Sequence, residues 1–308
     1  MKLIILVLVL IAAVAIFLFL KWFRGSKKVD YSFGDPTIKK LKSLIDSGAY
    51  ADAETEIYSL NSDMLTQALD YIALSVNEKK IMKWQNNSTS TEVPTLLLGV
   101  HYIHQAWLSR GHSVAEDVSP EGIDGFQFYQ DKAFEQLTEI SDHSKLSTEA
   151  YTRLIRAHMG YGQVEEAKEF FTKAVAKDPN KLWPYIAYSE VIQPKWNGNI
   201  EMIQELMAAL PSRRLTQQIV ELKLIYDSMQ SEENYFEGSM EDLKKRASKL
   251  LNTIDNELLK KEETSIQRYV LYSYMFVTAN DINQKAMSEK YFKKMNNYYT
   301  LYPFGLMK

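Results

Sequence analysis

Five histidines, His101, His104, His112, His143 and His158, are the side chains of this chain best suited to metal or proton chemistry. His101 and His104 lie three apart, so on a helix they share a face and could grip one metal ion, with His112, Glu116 or Asp117 completing the ligand set. No HExxH or other metal-site spacing supports them, and His104 also sits close to an apolar stripe, where a hydrogen-bonded packing role is common. Nucleophilic and phosphate chemistry have less to draw on. The 12 glycines are scattered, with no Gly-rich phosphate loop and no GxSxG elbow. The pairs Glu165-Glu166, Glu232-Glu233 and Glu262-Glu263 are sequence neighbours, which point about 100° apart on a helix and cannot face each other as an acid/base dyad. No catalytic residue, cofactor or metal is predicted. A metal-dependent enzyme using the His101/His104/His112 region is the alternative.

Two other segments are rich in Trp and in cationic side chains. The first runs His101-Tyr102-Ile103-His104-Gln105-Ala106-Trp107-Leu108-Ser109-Arg110-Gly111, and the second is Pro194-Lys195-Trp196-Asn197-Gly198. Trp107 and Arg110 are three apart on one helix face, and Gly111 is a natural helix stop. Arg110 could stack on a ring or fork onto a carboxylate. Trp and Arg are the residues that dominate protein–protein hot spots, so Trp107, Arg110, Lys195 and Trp196 are the candidate binding residues. The competing role for both indoles is core anchoring, since buried aromatics carry much of the packing energy of any helical protein.

The elements that must position these residues are helices. Leu96, Val100, Ile103 and Trp107 recur at spacings of three and four, and no alternating run bounded by turn residues predicts a strand. Breaks are expected at Gly48, at residues 85–94 (QNNSTSTEVP), at Gly160 to Gly162, at Pro179, at Pro211 and near Gly238, dividing the chain into about a dozen helices of ordinary length. Residues 151–179, YTRLIRAHMGYGQVEEAKEFFTKAVAKDP, read as helix, Gly-Tyr-Gly turn and helix, with Ala167, Phe171, Ala174 and Pro179 at tetratricopeptide (TPR) spacing. Small Ala167 and Ala174 let the helices approach, Phe171 fills the seam and Pro179 stops the second helix. Weaker echoes occur at Ala53, Ile57 and Leu60, and at Ser288, Phe292 and Met295. The predicted body is an irregular TPR-like α-solenoid of helical hairpins, with a generic helical bundle as the alternative. A Tyr-rich run (Tyr269, Tyr272, Tyr274, Tyr291, Tyr298, Tyr299, Tyr302) would suit either partner binding or interior packing.

The Ala-Trp-x-x-Arg-Gly and Pro-Lys-Trp-x-Gly segments, in that order around the TPR-like hairpin, resemble the hallmark motifs of an uncharacterised bacterial family of unknown function built from TPR-like helices. The resemblance is clearest over residues 91–229. It implies the helical-repeat fold and a bacterial origin, and carries no chemistry. Asn197 departs from the glycine the resemblance would place before Gly198.

The N-terminus predicts where this body works. An unbroken apolar run, LIILVLVLIAAVAIFLFL, begins at Leu3 and ends at Leu20. Its 18 residues rise ~27 Å as a helix, close to the thickness of a bilayer's hydrocarbon. Lys21, Arg24, Lys27 and Lys28 follow it against Lys2 alone before it, an asymmetry that keeps the following chain cytoplasmic. Trp22 and Phe23 lie where an interfacial aromatic anchor belongs. The expected organisation is a transmembrane anchor (residues 1–24), a juxtamembrane linker (25–36) and a helical domain (37–308): a single-pass bacterial inner-membrane protein with a cytoplasmic C-terminal domain. A cleaved secretory signal, delivering a periplasmic helical binding protein, is the alternative.

Of 36 basic and 39 acidic residues, five basic and no acidic ones lie within residues 1–28, leaving the remainder at 31 against 39, a charge of −8. An acidic body offers no footprint for nucleic acid. The expected partners are therefore the bilayer, through Leu3 to Leu20, and a protein or peptide near the membrane. Zero cysteines exclude disulfides, thiolate metal sites and a lipoprotein anchor.

Overall fold

A computed structural model describes residues 30–111, 117–210, 214–231, 233–257, 266–296 and 298. The apolar run from Leu3 to Leu20 lies outside these residues. Among the described residues no helix is long and apolar enough to cross a membrane.

The described chain is all-α: 14 α-helices, one 3-10 turn and no strand. In order they are α1 (Pro36–Ser47), α2 (Tyr50–Ser59), α3 (Ser62–Ser75), α4 (Glu78–Asn87), α5 (Glu92–Arg110), α6 (Pro120–Thr138) and α7 (Ser147–Gly160). There follow α8 (Val164–Lys177), α9 (Trp183–Val191), α10 (Ile200–Ala209), α11 (Arg214–Ser231), α12 (Met240–Glu257), α13 (Ile266–Asp281) and α14 (Lys285–Met295). Short polar residues set the starts. Asp35, Asn61, Asn77, Ser119 and Asn199 each accept a hydrogen bond from a first-turn backbone N–H, satisfying donors that helix geometry leaves orphaned. The predicted break at 85–94 is shorter than expected, because Pro94 sits in the first turn of α5, where no intrahelical N–H is required of it.

Helices α1 and α2, α5 and α6, α7 and α8, and α13 and α14 pair as hairpins, and alternate helices pack side by side. The odd-numbered helices α3, α5, α7, α9, α11 and α13 each contact the next, and α13 returns to touch α3. The even-numbered α4, α6, α8, α12 and α14 pack against this row, and α2 packs on α1, which itself rests on α3 and α4. Asp63 at the start of α3 fastens the closure: its Oδ1 accepts the Leu182 backbone N–H at 2.8 Å and its Oδ2 accepts from Gln267 Nε2 of α13 at 2.5 Å. Two large apolar cores result, one under α1–α7 and one under α7–α14, and Trp107 and Phe170 pack against both.

The three repeat-like segments are hairpins. Ala167 and Ala174 are fully buried and Phe171 stacks on Tyr188 at 4.4 Å, while Ala53 and Ile57 are buried in the first hairpin. In the last, Ser288 and Met295 are buried, but Phe292 is exposed, its ring centroid 5.3 Å from that of Phe276. The tyrosines serve the interior. Tyr274 and Tyr291 are buried, and Tyr269 stacks at 5.1 Å on Phe33, a buried residue of the segment read as linker. Tyr299 and Tyr302 lie outside the described residues.

Candidate functional site

The two Trp motifs, whose indoles are 89 residues apart in sequence, meet. The Trp107 and Trp196 rings contact edge-to-face with centroids 5.5 Å apart, and Phe126 of α6 closes on Trp107 at 5.2 Å. The Arg110 guanidinium lies 5.7 Å from the Trp107 centroid and 5.9 Å from that of Trp196, and Arg156 of α7 lies 5.3 Å from the Trp107 centroid. Each is a cation–π arrangement. Local backbone chemistry makes the meeting possible. Gly111 stops α5 with φ +74°, its N–H returning to the Trp107 carbonyl at 3.1 Å.

The second motif is a 3-10 turn, Pro194–Trp196, that leaves through Asn197 in the left-handed region, φ 69° and ψ 10°. Asparagine adopts that conformation more readily than other non-glycine residues, which resolves the missing glycine. Gly198 is the position that must be glycine, since a Cβ there would lie 2.1 Å from the Ile192 backbone.

Beneath this aromatic cluster the inner row of helices encloses a cavity of about 220 Å³. Alternate helices supply its walls: Gln67, Asp70 and Leu74 from α3, Ile103, His104 and Trp107 from α5. Arg153 and Arg156 come from α7, Trp183, Ala187 and Glu190 from α9, and Lys223 from α11. The cavity reaches solvent at Leu108, which lines it and is 41 % exposed.

Two buried charge networks flank the cavity. In the first, Arg153 donates to Asp70 at 2.6 Å, to Glu149 at 2.7 Å and to the Thr66 carbonyl at 2.9 Å. Lys181 meets Glu149 at 2.7 Å, and His104 Nε2 meets Asp70 at 2.9 Å. Burial works to raise the Asp70 carboxyl, but Arg153 and His104 outweigh it and hold it at about 2. Glu149 is likewise held low, with Lys181 and Arg153 overcoming its desolvation.

In the second network, Lys223 lies 2.7 Å from Glu190 and 2.5 Å from Asp227, and Lys195 lies 3.0 Å from Glu190. Trp196 Nε1 donates to Glu190 at 3.3 Å. Glu190, with two lysines, is pushed down despite burial, and Lys223 is pushed up by its two carboxylates. Asp227 moves the other way: burial and the neighbouring Glu190 charge raise it beyond what Lys223 pulls back.

No protein-family model, no curated protein and no solved structure matches this chain.

Of the four residues singled out in the sequence, Trp107 lines the cavity, Arg110 and Trp196 pack on the Trp107 ring, and Lys195 is exposed at the rim on Glu190. The histidines do not converge. His101 Nδ1 is paired with the Ala73 carbonyl at 3.0 Å, and burial lowers its pKa, favouring the neutral ring. His104 faces Asp70, and His112 lies outside the described residues. Among the described residues no three His, Asp or Glu side chains are grouped to hold a metal ion.

Sequence reasoning missed Asp70, Glu149, Arg153, Lys181, Glu190 and Lys223. A signal existed for two of them. Lys223 interrupts the apolar stretch from Leu222 to Ile225, and Arg153 lies between Thr152 and Leu154 on a helix whose neighbours are buried. A charge set inside an apolar run is a charge that needs a partner.

Proposed function

We propose that this chain is a membrane-tethered, TPR-like helical scaffold that binds a protein partner through its inner face, with Trp107 at the centre of the contact and Arg110, Trp196 and Lys195 around it. One observation carries the proposal. Alternate helices, from α3 to α11, build a single solvent-reaching cavity at the point where both Trp motifs converge. Repeats of helical hairpins bind their partners on the surface formed by one helix of each pair. The mixture at this cavity, aromatic walls with oriented polar groups, is the usual make-up of a recognition pocket.

The tether is the run from Leu3 to Leu20, and the basic residues after it favour a cytoplasmic body. Holding the body at the bilayer raises its effective concentration toward membrane partners. The acidic remainder of the chain leaves protein, rather than nucleic acid, as the partner class.

A photo-crosslinking residue placed at Leu108 in the full-length chain in its native membrane tests this. A discrete protein adduct at Leu108, absent when the same residue replaces exposed Thr55 on α2, is the expected result. Equal labelling from both positions, or none from Leu108, would remove the inner face as the binding surface.

A further inference from the structure

Resting on that proposal, we infer that the cavity receives one uncharged, ring-bearing side chain of the partner, inserted singly. The first ground is shape. With α13 folded back on α3, the inner row of helices closes, so the space left on that side is a pocket and not a long open groove. Its volume of about 220 Å³ exceeds the roughly 150 Å³ of an engineered apolar cavity in another protein that binds benzene. An indole or phenol group fits such a space, and a folded segment does not.

The second ground is charge. The carboxylates that line or back the cavity, Asp70, Glu149, Glu190 and Asp227, are each already paired with at least one of Arg153, Lys181, Lys195 and Lys223. A guest with net charge would leave water for a site whose counter-charges are already engaged, which opposes binding. Arg110 and Arg156 lie near the face of Trp107 and so enlarge the aromatic wall.

The third ground is the wall chemistry. Ile103, Trp107, Trp183 and Ile186 present apolar and aromatic surface to the guest. Trp107 Nε1 is buried and has no acceptor. An unmet buried donor is costly, and a guest's π face or carbonyl oxygen is an acceptor of the right kind.

Three small probes separate the possibilities: indole, benzoate and benzylamine, titrated into the full-length chain in detergent and followed by ligand-observed NMR. Indole is expected to bind saturably, with both charged probes weaker by at least about tenfold, a ratio worth about 1.4 kcal/mol. Ala187→Phe, which fills the cavity from α9, is expected to weaken indole binding by about tenfold or more. Leu74→Trp fills it from α3 and takes its place should the first variant fail to fold. Tighter binding of benzoate or benzylamine would overturn the uncharged guest. No indole binding, or binding that both folded variants leave unchanged, would overturn the cavity as its seat. A Leu108 adduct that persists beside such a failure would leave the scaffold proposal standing and sink only the guest.

Discussion

The two charge networks beside the cavity contain the same kinds of side chain and behave differently. In the first, Asp70 and Glu149 share Arg153 and each has a further partner, His104 for Asp70 and Lys181 and Thr66 for Glu149. Every shift there deepens the charged state. In the second, Glu190 and Asp227 share Lys223, and only Glu190 has a further lysine. One carboxyl is stabilised as an anion and the other is pushed toward its neutral form.

The contrast shows that burial alone does not set the role of a charge. What matters is where the cations sit, because desolvation is common to both sides: the second lysine of the second network, Lys195, pairs with Glu190 and leaves Asp227 only the shared Lys223 as an ion-pair partner. The first network is a clamp that joins α3, α7 and the lead-in to α9. The second is a softer joint that extends to the rim through Lys195.

The largest effect expected is at the clamp. Arg153→Met leaves Asp70 and Glu149 buried with less compensation and should destabilise the fold by about 3–5 kcal/mol, read as a lowered denaturation midpoint. An unchanged midpoint would mean that water reaches these carboxylates and that the clamp is not buried in solution.

Next in size is Asp70→Asn, whose effect depends on pH. An Asp held at about 2 when folded and near 3.9 when unfolded contributes about 2–3 kcal/mol. The folded pKa is depressed, so the contribution is complete above the unfolded value and is lost as pH falls through about 2. The stability gap between wild type and variant should therefore be full at pH 6 and close on acidification. A gap independent of pH would assign the loss to packing.

Asp227→Asn is the smallest and should run the opposite way. Its folded pKa is raised, so ionisation on folding becomes unfavourable as pH rises above the unfolded Asp value near 3.9. The variant should gain on the wild type as pH rises above about 4, with an overall change of about 1 kcal/mol or less because Lys223 keeps Glu190. Parallel slopes for Asp70→Asn and Asp227→Asn would erase the distinction between the two networks.

Much of the local structure is legible before any folding. Spacings of three and four announce helices, Gly48, Gly111 and the Gly160 to Gly162 turn end them, and the hairpin from Tyr151 to Lys177 carries its small-residue seam in plain view. These are near-neighbour properties, set by backbone sterics and by side chains one helical turn apart.

The candidate site was half legible. Trp107 and Trp196 stand out by residue type, and their order along the chain hints at a shared structure. Their contact does not follow from either segment, since it depends on how α5 and the turn after α9 are carried by their neighbours.

By itself the sequence determined the helices, their breaks, the apolar run from Leu3 to Leu20 and the charge asymmetry after it. Only the tertiary structure decided that α13 returns to α3, that Asp70 faces Arg153 and that Glu190 and Asp227 share one lysine. The reason is physical. A charged residue on an isolated helix is solvated whichever way it points, and its partner and protonation state are chosen only when packing removes the water.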